Sequence, residues 1–464
     1  MKKFLSILLV SLMLLSLVAC GGSKKEEPKQ EETKTEEVTY DISTLEGWGE
    51  AMKAQYDGSK ITVAMSAHNS TEAFKSMVDE FTALTGIEVV WDIVEETNLK
   101  NKQLLDVQGA GSYDVMMVDA FWMSEYASKN VLIPIDTYAN DAAKTPAWFD
   151  YEDIMAAYRN GIAGANGVNY GIPTSGETRF IAYRTDLFEK YGKTAPATMD
   201  EFLELAKFFN DVEDVEYGVA MRAQRGIHFA SGWMSLMYNF GAGFVDQTTL
   251  DGSTDVVVTT NSPETKASLQ YYVDLMNCAP PDVGTYTHEE ALGAFISGKT
   301  AMWLDATALA GQITDPASST VADKVAFVPT PTGPAGDGAA LAGWSLGIST
   351  ASKNMDQAWA FICFMASREK AEEYILAGGG ATRASVFENE TLQAANPSFP
   401  AQLEALDAAN GLVEKGLSWI PQHDMANQLL EIAGAYGSDA LAGNITADEA
   451  CEAAQADIDD LING

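Results

Sequence analysis

The alternation of short apolar runs with amphipathic segments constrains the fold of this chain more than any other feature. Ile61 to Met65 is a β-branched apolar run that predicts a strand, and Thr71 to Thr85 is an amphipathic stretch that predicts a helix ending at Gly86. Ile87 to Trp91 and Asp114 to Val118 repeat the strand pattern, the second with the continuous apolar character of a strand covered on both faces. This alternation predicts an α/β fold with a largely parallel sheet.

A second block of the same kind follows later in the chain. Phe180 to Tyr183 predicts a strand, and Thr198 with Glu201 forms the capping box of a helix over Phe202 to Phe209. Ser262-Pro263 begins another helix, because a proline at the first helical position lacks an N–H that would have no helical partner. A chain of 464 residues that is 47% hydrophobic can bury a large core and by its length contains more than one lobe.

The amino-terminal residues predict export. Residues 1–19 combine two lysines with an apolar run from Phe4 to Ala19, which is typical of a secretory signal and shorter than the ~20 residues of a spanning helix. Ala19-Cys20-Gly21 ends a segment that resembles a bacterial lipobox, so we expect cleavage before Cys20 and acylation of its thiol. The alternative is a plain signal with a chance cysteine. Residues 20–39, rich in Lys, Glu, Gln, Thr and Pro, predict a disordered tether.

Charge and cysteine content exclude several classes of partner. The formal net charge of −37 repels nucleic acid and anionic lipid headgroups, which leaves an anchor on Cys20 as the expected link to a membrane. Cys278, Cys363 and Cys451 are far apart without C-x-x-C spacing, so no disulfide framework or zinc site is expected. Cys363 lies in an apolar run and predicts a buried inert thiol. Four histidines without metal-ligand spacing predict no metal site, and no cofactor is expected.

One segment matches a nucleotide-binding motif but has the wrong context. Gly293 to Thr300 fits G-x-x-x-x-G-K-[ST], whose chemistry requires a strand before the loop and a helix after it. Here Thr287 to Ile296 predicts a helix, Gly298 a helix stop, and Thr300 to Leu304 a strand. We therefore reject the P-loop interpretation.

Five segments in order resemble the extracytoplasmic sugar-binding proteins of ABC importers, the family 1 solute-binding proteins that are maltose-binding-protein-like. They are residues 61–95, 114–136, 170–191, 294–305 and 341–349. The resemblance implies the type II periplasmic-binding-protein-like fold, with two α/β lobes, hinge strands, a ligand cleft between the lobes, and closure on binding. It implies ABC permease subunits as partners and an extracytoplasmic, lipid-anchored protein, which we expect to be a monomer.

The resemblance also implies lobe boundaries. The first lobe is expected to comprise 40–175 plus 306–346, and the second 176–305 plus 347–464. The chain would cross between them near Ser175 to Thr178, near Asp305 to Leu309 and near Leu346 to Ser349.

Side chains that follow the predicted strands are candidate ligand contacts. Phe121 and Trp122 come directly after the strand Asp114 to Val118, at the carboxyl edge where ligands of open α/β sheets bind. The resemblance places polar ligand contacts at these two positions, so the site is expected there with changed chemistry. A core or exposed-helix role is the alternative for Trp122. His68 and Asn69 follow the first strand and match the loop with which the family reaches the ligand from its first lobe.

Two carboxylates fall at predicted crossings. Glu177 would accept hydrogen bonds from two hydroxyls if it faced the cleft; it could equally be a solvated loop acid, or Arg179 could neutralise it. Asp305 ends a strand, where an acidic side chain is costly unless it is paired or faces the cleft.

The remaining candidates are three tryptophans and an arginine. The glycines before Trp233 and Trp344 allow the backbone to approach a ligand closely. Trp303 lies in a predicted strand, where the alternation of side chains makes a core role as plausible as a cleft role. Arg383 matches a family loop near the cleft. The weakest candidates are Trp419 and Gln422.

The leading hypothesis is capture of a small neutral carbohydrate, a sugar or polyol, without catalysis. Aromatic candidates together with few Arg or Lys in the cleft segments favour a neutral ligand over an anion. The chief rival is a secreted glycosidase that uses Glu177 and Asp305 as paired carboxylates. A third hypothesis, an adhesin or structural surface protein, predicts no ligand-sized cleft.

Overall fold

The apolar runs of the sequence form the strands of two separate sheets. The computed structural model describes residues 40–250, 255–414 and 417–464, so the predicted signal, Cys20 and the tether lie outside the described residues. The strands are β1 Lys60–Ser66, β2 Glu88–Val94, β3 Val115–Asp119, β4 Gly164–Ala165, β5 Val168–Asn169, β6 Gly171–Glu177, β7 Arg179–Arg184, β8 Tyr217–Ala220, β9 Thr300–Ala306, β10 Val325–Pro329 and β11 Ala342–Ile348. The strand order is β2-β1-β3-β11-β6 in the sheet of the first lobe and β10-β7-β9-β8 in the sheet of the second.

Helices cover both sheets, and the α/β prediction is confirmed. They are α1 Leu45–Tyr56, α2 Asn69–Thr85, α3 Glu96–Gln108, α4 Met123–Ser128, α5 Asp136–Ala139, α6 Ala156–Gly161, α7 Thr185–Tyr191, α8 Met199–Asn210, α9 Ile227–Met237, α10 Pro263–Met276, α11 His288–Ile296, α12 Ala310–Thr314, α13 Met355–Met365, α14 Ala371–Leu376, α15 Ala384–Glu388, α16 Glu390–Ala395, α17 Phe399–Glu414, α18 Ala426–Leu441 and α19 Ala447–Asn463.

Local sequence signals fix several helix ends. Thr198 and Glu201 form the predicted reciprocal capping box of α8, and the Ser262 side chain accepts a hydrogen bond from the Thr265 N–H at the start of α10. α2 ends at Gly86, which is in the left-handed conformation with φ 72°. These helix boundaries are confirmed.

The strand directions refine the expectation of a largely parallel sheet. β1 is parallel to β2 and β3, as the first block predicted. β11 is antiparallel to both β3 and β6, and β7 is antiparallel to both β9 and β10. In the first sheet β1, β2, β3 and β6 run in one direction, so the expected largely parallel sheet holds there for four of the five strands. The first strand after each crossing between lobes, β7 in the second sheet and β11 in the first, runs against its neighbours.

Of the three predicted crossings of the chain between the lobes, one agrees with the structure and two differ. The chain leaves the first sheet with β6 and enters the second with β7, and Thr178 between them exchanges hydrogen bonds of 3.1 Å with Thr307. After β9 the chain stays in the second lobe, because β10 pairs with β7. It returns to the first sheet only at β11, and α13 and α14 then pack against α2.

The predicted lobe boundaries are corrected accordingly. The stretch 306–346 was assigned to the first lobe, although its strand β10 belongs to the second sheet. The stretch 347–464 was assigned to the second lobe, although α13 and α14 pack on the first. The helices α18 and α19 do lie on the second lobe, where α18 packs against α9.

Two further sequence interpretations hold. The motif Gly293 to Thr300 runs from α11 into β9, with Gly298 at φ 83° between them, which confirms the order of helix then strand. Cys363 is buried in α13, and burial raises its thiol pKa well above the usual range. No helix within the described ranges combines the length and apolar character needed to cross a membrane.

Candidate functional site

A cleft of about 860 Å³ lies between the ends of the two sheets. Several of its polar lining residues come at or just after the carboxyl ends of strands, where ligands of α/β sheets bind. His68 follows β1, Glu96 follows β2, and Asp119 and Glu177 are the last residues of β3 and β6. From the second lobe, Arg222 follows β8.

Trp344 forms the floor of the cleft. In β11 it lies opposite Asp119 of β3 on one side and Ser175 of β6 on the other. Its ring contacts that of Trp122 edge-on at 5.5 Å and lies 5.6 Å from that of His68. The preceding Gly343 has φ 141°, and a Cβ atom there would lie 1.9 Å from the Ser175 carbonyl oxygen. Only glycine therefore permits this approach of β11 to β6.

Three acidic side chains face the cleft from the first lobe. Burial, together with the charge of Glu96, raises the pKa of Asp119 well above its usual value. Burial also raises the pKa of Glu177 and of Glu96, in spite of the nearby arginines. Glu177 accepts no hydrogen bond from any described residue, and Asp119 accepts one, of 2.8 Å, from the N–H of Phe121. These carboxyls therefore keep acceptor positions for a ligand.

The basic residues of the cleft are tied to a buried acid. The Arg222 Nε donates to Asp305 Oδ2 at 2.8 Å, its Nη2 binds Oδ1, and Arg179 Nη1 lies 3.2 Å from Oδ1. Asp305 is only 2% exposed; burial alone would raise its pKa, but Arg222 and Arg179 hold it well below the usual range. Asp305 therefore holds two guanidinium groups at the wall of the cleft and does not itself line it.

The candidates from the first lobe lie where the sequence placed them. His68 caps α2, its Nδ1 accepting a hydrogen bond of 3.1 Å from the Ser70 N–H, and Asn69 lines the cleft beside it. Burial lowers the pKa of His68 to about 4. Phe121 is half-buried and contacts the ring of Trp419 at 5.5 Å.

Comparison with known proteins identifies the family. The model of the bacterial extracellular solute-binding proteins matches residues 67–372, which is more than half of the chain. The chain belongs to this family. The structure of a solute-binding protein from Agrobacterium radiobacter in complex with ribitol has a TM-score of 0.78 and 25% identity, covering 88% of this chain and 99% of that one. One from Agrobacterium vitis with bound D-mannitol has a TM-score of 0.75 and 28% identity, covering 87% and 98%.

Two relatives that are named for the polyols they bind are each 28% identical to this chain. The erythritol/L-threitol-binding protein of Mycolicibacterium smegmatis is 28% identical over 397 residues, which cover 82% of this chain and 79% of that protein. The mannitol-binding protein of Pseudomonas aeruginosa is 28% identical over 393 residues, which cover 80% and 85%. The similarity to the two solved structures confirms the type II fold expected from the sequence.

Besides Asp305, three predicted contacts of the solute-binding protein lie outside its cleft. Trp233 is buried in the second lobe, where its Nε1 donates to Ser268 Oγ at 2.9 Å. Trp303 is fully buried between Phe180 and Phe295. These two placements were wrong, because an aromatic ring of this size is accommodated as readily by a lobe core as by a cleft.

Arg383 is a structural residue of the first lobe. It is 3% exposed, donates from Nε to the Ala366 carbonyl oxygen at 3.1 Å and from Nη1 to that of Asp150 at 2.6 Å, and pairs with Asp153. It therefore joins α13 to the segment before α6, and its prediction as a ligand contact was wrong. Trp419 and Gln422 line a neighbouring cavity.

Sequence reasoning missed several polar residues of the cleft. Among them are Glu96, Asp119, Arg222, His228 and His288. Asp119 had a usable signal, because it directly follows the predicted strand Asp114 to Val118 and lies two residues before Phe121. Arg222 follows β8, a short strand that was not predicted, and the two histidines are placed only by the tertiary fold. The described residues contain no group of three or more potential metal ligands.

Proposed function

We propose that this solute-binding protein captures an acyclic polyol or small neutral sugar and delivers it to an ABC permease. The observation that carries the proposal is the meeting of Asp119 and Glu177 from one lobe with Arg222 and Arg179 from the other across one cleft. Carboxylates accept hydrogen bonds from hydroxyls, and guanidinium groups donate to them. Similarity to proteins that bind erythritol, mannitol and ribitol supports this ligand class.

The geometry of the aromatic residues favours an acyclic ligand. Trp344 and Trp122 are only 4% and 6% exposed and pack edge to face, so they offer little flat surface to stack on a sugar ring. Phe121 is half-buried and turns toward Trp419. Recognition would then rest on hydrogen bonds to successive hydroxyls, which an extended polyol presents along its whole length.

The charges favour a neutral ligand over an anion. Besides the three acids of the first lobe, Glu72 and Glu289 line the cleft and are exposed to it. Asp305 compensates one of the two guanidinium charges, and the acids that line the cleft outnumber the other. An anionic ligand would therefore meet an excess of negative charge.

The same contacts argue against the glycosidase hypothesis. Asp305 is buried behind the cleft wall, and its oxygens are bound by Arg222 and Arg179, so it is not placed to act on a ligand as nucleophile or base. Glu177 would therefore lack the partner that paired-carboxylate hydrolysis needs. We propose a binding protein without catalysis, in which ligand contacts from both lobes favour the closed form that the permease recognises.

The anchoring of the protein is part of the proposal. Lipidation of Cys20 would hold a monomer at the outer face of the membrane, with the following residues as a tether. The lipobox-like sequence supports this, together with the extracellular character of the family.

A thermal-shift screen tests the ligand class. The panel comprises erythritol, ribitol, D-mannitol, D-glucose, maltose, amino acids and phosphorylated sugars. A ligand of the folded state raises the melting temperature by mass action, so we expect a shift with polyols or neutral sugars. Glu177→Gln should weaken the response, whereas Glu213→Gln, an exposed acid outside the cleft, should leave it unchanged. A shift with amino acids or anions alone would overturn the assignment.

A further inference from the structure

Two histidines from different helices meet on one wall of the cleft. His228 lies in the first turn of α9 and His288 in the first turn of α11, and both line the cleft from the second lobe. Their ring centroids are 6.3 Å apart. They lie on the wall that also carries Arg222, across from the acids of the first lobe.

Both imidazoles have unused hydrogen-bonding capacity. Within the described ranges, no hydrogen bond joins either side chain to another protein group, whereas His68 and His423 each accept one from a backbone N–H. Both residues are half-buried and line the cleft. Two rings side by side could together bind two neighbouring ligand groups.

The surroundings of the pair keep both rings neutral. Burial and the charge of Arg222 lower the pKa of each histidine to about 4, against weaker opposing effects of Asp305 on both and of Glu290 on His228. The helix amino-termini act in the same sense, because their positive end disfavours an imidazolium. Besides Arg222, the charge of Arg179 also lowers the pKa of His288. The next residue in the sequence, Glu289, is exposed.

We propose that His228 and His288 form a second-lobe subsite that binds two adjacent hydroxyl groups of the ligand. This inference rests on the proposed function and assigns the pair a role in specificity. A neutral imidazole has one N–H donor and one nitrogen acceptor, which match the acceptor and donor of a hydroxyl. The guanidinium groups on the same wall only donate, so the histidines add to it groups able both to donate and to accept.

Imidazole NMR and calorimetry test the subsite. D-mannitol is titrated into the ¹⁵N-histidine-labelled protein, and the His228→Gln and His288→Gln variants assign the two signals. We expect both signals to move while that of His423, which lies outside the cleft, stays in place. Leucine at either position should weaken D-mannitol binding about 10-fold, as expected for one or two lost hydrogen bonds. Glutamine retains a donor and an acceptor and should restore much of the affinity.

The possible failures are distinguishable. D-mannitol that binds with both imidazole signals unmoved, and with leucine variants within 2-fold of the parent, would overturn the subsite and leave the proposed function intact. If calorimetry detects no binding of D-mannitol, ribitol, erythritol or any sugar of the panel, the proposed function fails and the subsite with it. Circular dichroism of each variant confirms that it is folded.

Discussion

Replacing Asp305 by asparagine tests the buried ion cluster on which the second-lobe wall depends. Asp305 receives two hydrogen bonds from Arg222, lies 3.2 Å from Arg179 Nη1, and accepts a further bond of 2.7 Å from the Ala306 N–H. Asparagine is nearly isosteric but carries one acceptor oxygen and no charge. The substitution therefore leaves two guanidinium groups without their buried counter-charge.

The size of the effect follows from this geometry. Removing one partner of a buried ion pair costs about 3–5 kcal/mol, and the retained oxygen places Asp305→Asn toward the lower end of that range. Equilibrium unfolding in urea, followed by circular dichroism, measures the change. Asp323→Asn is the matched control, because Asp323 is exposed and makes no side-chain hydrogen bond to a described residue. It should change the free energy of unfolding by less than about 0.5 kcal/mol.

The reasoning is refuted if the two variants unfold at the same urea concentration. In that case the arginines would be stabilised by solvent in the cleft and not by Asp305. A second readout separates stability from positioning: Asp305→Asn should also weaken D-mannitol binding, because Arg222 and Arg179 lose the group that orients them. Unchanged affinity in a folded Asp305→Asn variant would contradict that positioning role.

Three further predictions follow from the same contacts. Trp344→Ala should destabilise the protein by about 3–5 kcal/mol in urea unfolding and weaken polyol binding, since it removes the floor of the cleft; wild-type affinity would contradict this. Because the pKa of His228 is about 4, against ~6.5 when unfolded, its contribution to stability is present above pH ~6.5 and lost as pH falls to ~4. Melting temperatures from pH 7 to 4.5 should therefore fall less for His228→Gln than for the parent, and equal slopes would refute it. Cys20→Ser should move the expressed protein from the membrane to the soluble fraction; an unchanged distribution would exclude the anchor.

Much of the fold was predictable because it depends on local patterns. The runs that became β1, β2 and β3, the capping box of α8 and the order of α11 and β9 are all written in short stretches of sequence. The direction and sheet membership of β10 and β11 were not predictable. Both depend on pairing with strands that lie more than a hundred residues earlier, which no local pattern records.

The lining of the cleft was predictable where a residue lies at or just after the end of a strand. His68, Phe121 and Glu177 were found in this way. Trp233 and Trp303 were chosen for residue type and position in the chain, but the same properties suit a core, and burial decides between the two roles. His228 and His288 were missed because they are 60 positions apart in the sequence, and only the tertiary fold brings them together.

A crystal structure of the protein with D-mannitol tests the central claim most directly. We predict ligand density in the cleft, with hydroxyls bound to Asp119 or Glu177 of the first lobe and to Arg222 or the His228–His288 pair of the second. Contacts from both lobes are what allow a ligand to favour closure. Density outside this cleft, or a ligand held by one lobe alone, would contradict the account.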